Sequence, residues 1–135
     1  MTRTTTILCL GMLAIAGLGT LLLMANPALA HHAFGAEFDR DAPVKMTGTI
    51  TKLEWVNPHT WIHLEVAEIE GPVSGDRAGE VWMVEGGTPN VLLRRGLHRD
   101  CLTPGTEIVV DGYQAKDHSL NRANGRDITF TDGTK

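Results

Sequence analysis

The chain has 135 residues, with 12 Lys+Arg against 16 Asp+Glu and a net charge of −4. Mild acidity excludes broad electrostatic attraction to nucleic acid or anionic lipid. A hydrophobic share of 42% excludes a disordered chain.

Residues 1–30 read as a secretory signal peptide. Arg3 supplies the positive charge, Ile7 to Ala25 is almost wholly apolar, and Asn26-Pro27 breaks the helix. Ala28-Leu29-Ala30 then places small residues at the cleavage site. The alternative is an uncleaved anchor, because the apolar run approaches the length of a membrane span. Cleavage after Ala30 leaves 105 residues, enough for one domain with a single core. The expected destination is the periplasm or the medium, with no stable membrane insertion once the leader is gone. Cys9 departs with the leader, so Cys101 stands alone and no internal disulfide can form.

Residues 31–43 read as an N-terminal arm that begins His31-His32-Ala33-Phe34, and residues 44–135 as the folded domain. Val44 to Ile50 carries apolar residues at alternate positions, the period of a strand. The phase then shifts to Leu53 and Trp55, which predicts a bulge near Thr51-Lys52. Asn57-Pro58 marks a turn. Thr60 to Glu68 predicts the second strand, with Ile62, Leu64 and Val66 on one face and Trp61, His63 and Glu65 on the other. Glu80 to Glu85 predicts the third. Thr88 to Gly96 predicts a short helix: Thr88 as cap, Pro89 at the first position, Gly96 just past the end. Ile108 to Ala115 and Ile128 to Thr131 predict strands four and five. Ile108 and Val110 join Ile62, Leu64 and Val66 in the expected core.

The expected fold class is therefore all-β, a small five-stranded OB-like barrel with one short helix between strands 3 and 4. A long bulged first strand suits that barrel, because it must curve to serve both halves. A plain antiparallel sandwich or meander is the alternative.

The His31-His32-Ala33-Phe34 start after a leader, with Gly48-Thr49-Ile50 and the turn Asn57-Pro58-His59-Thr60-Trp61, resembles a bacterial family of small exported proteins of unknown function. Pro104-Gly105-Thr106 and Asp111-Gly112-Tyr113 are similar to its later part. The resemblance spans essentially the whole mature chain. It implies export and a small β-rich domain, and it brings no catalytic residue. A looser similarity is to small periplasmic copper chaperones of the same barrel type, which hold Cu(I) with His, Met and a nearby Trp. The counterparts in type are His63, Trp61, Met83 and Trp82, at a different spacing.

All six histidines lie in the mature part. His31 could chelate through its α-amine and ring together, and a further imidazole from His32 completes a flat three-nitrogen site that suits Cu(II). The plain alternative is a solvated terminus. His59 and His63 are the second pair, but four residues along a strand span roughly 13 Å. Sharing one metal requires the turn to fold His59 back, or the arm to reach one of them. Otherwise His59 caps its turn and His63 is an exposed strand residue. His98 and Cys101 are too few for a closed zinc site, and a lone cysteine is most often buried as a small apolar residue. Arg94, Arg95, His98 and Arg99 form a basic patch that suits a solvated helix end. Trp61 and Trp82 could stack on a sugar or aromatic ligand, or serve as core.

No hydrolase, phosphate-loop or zinc-protease motif is present. Three readings stay open. The first is an exported binding module with metal ligands among His31, His32, His59 and His63, copper first and zinc second. The second is a metal-free interaction domain for an exported protein or small ligand. The third is a copper-dependent redox enzyme at the His31 terminus. Nucleic acid is not an expected partner, and an enzyme is the least favoured class.

Overall fold

The computed structural model describes residues 34–135. The expected signal peptide and its cleavage site lie outside the described residues, as do His31 and His32. Five strands follow in order: β1 Phe38–Glu54, β2 Trp61–Glu70, β3 Val81–Glu85, β4 Glu107–Ala115 and β5 Arg122–Phe130. Helix α1, Pro89–Arg94, lies between β3 and β4, and a single 3-10 turn, Arg99–Cys101, follows it.

The strands close into a barrel in the order β1-β2-β3-β5-β4. All neighbours are antiparallel except β3 and β5, which run parallel over Met83–Glu85 and Arg122–Asn124. This is the expected OB-like architecture. β1 is the strand that serves both halves, pairing β2 along one side and β4 along the other. Its register against β2 shifts between Ile50 and Lys52, at the expected bulge, and also between Thr47 and Gly48.

Alternation placed the core correctly. Ile62, Leu64, Val66, Ile108 and Val110 are all buried, and Val44, Met46 and Ile50 join them from β1. At about 25 cal/mol per Å² of apolar surface removed from water, burial of each large side chain contributes about 1.5–3 kcal/mol. The close helix ends are as read. Thr88 Oγ1 accepts from Val91 N at 3.3 Å. Gly96, with φ +85°, continues a reversed turn in which Leu97 N donates to Leu92 O and Gly96 N to Leu93 O.

Two strand starts, one short turn and the burial of Cys101 differ from the sequence reading, and Trp82 takes the core role of its two alternatives. β1 begins at Phe38, so the last part of the 31–43 arm is strand. Its polar residues Asp39 to Asp41 hide the strand pattern, which only Phe38 and Ala42 maintain on the inner side. β5 begins at Arg122, six residues before the apolar signal at Ile128, because its first half is held by the ladders to β3 and β4. The Arg99–Cys101 turn has no apolar period to announce it. Cys101 is exposed rather than buried; the neighbouring Leu102 takes the core position instead. Trp82 is fully buried, which removes it from any ligand-stacking surface.

Candidate functional site

One end of the barrel gathers the starts of β1, β2 and β5 and the end of β3. Alternation on β3 turns Trp82 and Val84 inward, which leaves Val81, Met83 and Glu85 facing out. Val81 and Met83 are exposed as that parity requires. Glu85 is not: only 8% of it is accessible. Side chains from three other segments cover it.

The first cover is Trp61, the partner of Glu85 across the β2–β3 ladder. The second is Arg122, whose guanidinium lies 4.5 Å from the centre of the Trp61 ring and 5.7 Å from that of Phe38. Cation–π contact of this kind favours a flat guanidinium over an ammonium. Arg122 Nη2 donates to Glu37 Oε2 at 2.8 Å and reaches Glu85 Oε2 at 3.5 Å. The third cover is His59, delivered by the cis Asn57-Pro58 turn. Its Nδ1 is 3.1 Å from Glu85 Oε1 and 3.4 Å from the Gly86 carbonyl.

The charges do not balance. Glu85 and Glu37 share the single guanidinium of Arg122. Burial pushes the Glu85 carboxyl up from its ordinary value, His59 and Arg122 oppose that rise, and Glu37 adds to it. Among the described residues, Arg122 Nε is buried without a hydrogen-bond partner, as is the Thr60 hydroxyl next to Trp61.

His63 is directed elsewhere. Its Nε2 is 2.8 Å from Glu54 Oε1, and Lys52 Nζ is 2.7 Å from the same oxygen. These contacts, Lys52 first, hold the Glu54 carboxyl below its ordinary value. His59 and His63 thus turn to different carboxylates, and the structure does not bring them to one point. Among the described residues, no three of His, Cys, Asp and Glu converge on one position. His63 does lie opposite Met83 in the β2–β3 ladder, with Trp61 two residues along on the same face. His118 pairs with Asp39 at 3.4 Å, while His98 and Cys101 are exposed near the 3-10 turn.

Sequence reasoning gave no role to Glu85, Arg122 or Glu37. Glu85 had one legible signal, an acid closing an otherwise apolar strand. Arg122 had none, because it stands in a polar stretch and enters the site only through the β3–β5 pairing.

A family model described as a family of unknown function, DUF6152, matches residues 19–124. No curated protein matches the chain.

Proposed function

The chain belongs to the DUF6152 family, whose function is unknown, and we propose that it is an exported binding module that holds a copper ion, with zinc as the second choice. The reading is carried by one observation: His59 places Nδ1 against the buried carboxylate of Glu85, and among the described residues its Nε2 has no partner. Metal-binding histidines are oriented this way, the far nitrogen bonded to a carboxylate so that the near one offers its lone pair. A cation bound there would also offset the two carboxylates, Glu85 and Glu37, that share Arg122.

His59 supplies one ligand. His31 and His32 supply the others in this reading. Five residues lie between His31 and Glu37 in the sequence. Glu37 itself is tied to Arg122. Cleavage after Ala30 would free the His31 α-amine, which titrates near neutral pH and binds metal once deprotonated. Amine and imidazole nitrogens together favour Cu(II) over zinc. His63 takes no part in this set, being bonded to Glu54, and its assignment as a ligand stands only if the metal displaces that bond.

The test is a Cu(II) titration of protein beginning at His31, beside three variants. One extra glycine before His31 moves the amine away from the ring while keeping every side chain. His59→Ala removes the barrel ligand, and Glu85→Gln removes its carboxylate support, a loss of about 10–100-fold in affinity. His98→Ala and His118→Ala bind as the parent does. Equal affinity with and without the glycine, and with and without His59, rejects the reading. It leaves the metal-free interaction domain, for which the exposed Val81 and Met83 on the outer face of β3 would be the contact surface.

A further inference from the structure

The parallel β3–β5 ladder ends at Glu85 and Asn124. Beyond it the two strands part. The chain after β3 turns away through Gly86-Gly87 into α1, whereas β5 continues along β4 to Phe130. The gap between them is a pocket of about 260 Å³.

Its walls are apolar: Val91 and Leu92 from α1, Leu97 just past it, and Ile128 from β5. Its floor is bare backbone. A Cβ on Gly86 would come no nearer than 3.6 Å to any atom, and on Gly87 no nearer than 3.4 Å. Neither glycine has the positive φ that would demand glycine. A methyl group fits at both positions, and the absence of any side chain there leaves the floor open.

The rim carries three basic residues, Arg95, Arg126 and Lys135, and one acid, Asp127. Arg126 lines it but is committed, its Nε to Asp127 at 2.9 Å and its Nη1 to the Tyr113 hydroxyl at 3.4 Å. Arg95, at the C-terminal end of α1, also lines it and is exposed. Among the described residues its guanidinium has neither an ion pair nor a hydrogen bond.

We propose that this pocket binds a small organic carboxylate with an apolar body, the body between α1 and β5 and the carboxylate on Arg95. The volume fits: an apolar cavity of about 150 Å³ admits benzene, so this one holds a ring with a short chain. The charge fits as well, because a planar guanidinium pairs with a carboxylate through two parallel bonds. An apolar lining with a few placed polar groups is the usual form of a small-molecule site.

The probe is 3-phenylpropionate, with 3-phenylpropanol and 3-phenylpropylamine as its neutral and cationic counterparts. Amide NMR spectra of the mature protein are followed during each titration. The carboxylate should move the signals of Gly86, Gly87, Leu97 and Ile128 and bind roughly tenfold more tightly than the alcohol, the value of one charge-assisted contact. The amine should bind more weakly than either. Arg95→Gln, a change at an exposed position, should erase the preference for carboxylate over alcohol and leave alcohol binding intact. Gly87→Leu should abolish both by filling the floor. Equal binding of acid and alcohol by the parent, an unchanged preference in Arg95→Gln, or shifts confined to another face would each overturn the assignment. None of these readouts involves a metal or the His31 terminus.

Discussion

His59 and Glu85 meet at 3.1 Å although they belong to different elements, one in the turn before β2 and the other at the end of β3. With Trp61 and Arg122, His59 covers an acid on the outer face of the sheet that water scarcely reaches. Its consequences can be measured as a dependence on pH.

Glu85 has a folded-state pKa raised above its ordinary value, chiefly by burial. The folded state therefore holds this proton more tightly than the unfolded chain does. The resulting stabilisation is complete below the unfolded value and is lost as pH rises through the folded one. Glu85→Gln should remove that loss. Denaturant titrations between about pH 4 and pH 7 should show the stability of the parent falling relative to the variant as pH rises. A constant difference across that range would mean that Glu85 does not titrate within it.

Glu54 has the opposite sign. Lys52 and then His63 hold its carboxyl below the ordinary value. Its stabilisation is present above the unfolded value and disappears as pH falls through the folded one. Glu54→Gln should flatten the acid limb of the stability profile below about pH 4.5. The His63 ring signals should shift in the same variant, because Nε2 loses a carboxylate partner.

Leu64 is fully buried at the centre of β2, and its neighbour Glu65 faces solvent. Leu64→Ala should cost about 2–5 kcal/mol of unfolding free energy. Glu65→Ala should stay within about 0.5 kcal/mol. Equal effects in chemical denaturation would show that the strand phase is reversed.

Two glycines let neighbouring strands pass closely where the register shifts. A Cβ on Gly112 would lie 1.7 Å from the Asn124 carbonyl oxygen, and one on Gly48 2.3 Å from that of Glu65. Both obstacles are backbone and cannot rotate aside. Gly112→Ala should cost at least about 3 kcal/mol, beyond ordinary overpacking. Gly86→Ala, with open contacts only, should be far milder. Thermal melts of the two variants side by side decide it.

Thr88 caps α1 through its bond from Val91 N. Thr88→Ala should cost about 1 kcal/mol, while Thr88→Ser should be near neutral. The helix has only six residues and depends on its ends, so loss of the cap should also quicken exchange of the Val91 amide with solvent.

Local order was legible in the sequence wherever one side of an element is buried. Ile62, Leu64 and Val66 show their strand and its inner face by alternation alone. Thr88, Pro89 and Gly96 fix both ends of α1, since a cap, a preset φ and a left-handed residue act within a few positions. The bulge near Thr51-Lys52 followed from the break in phase. Together these were enough for strand number, helix placement and the OB-like class. The long-range partners were not legible. Alternation says that Glu85 points out of the sheet, but whether water reaches it depends on Trp61, Arg122 and His59, which come from distant segments. The same holds for the separate carboxylates that claim His59 and His63. It holds also for Cys101, exposed because Leu102 fills the core beside it. Local periodicity records which way a side chain faces, and only closure of the barrel decides what stands in front of it.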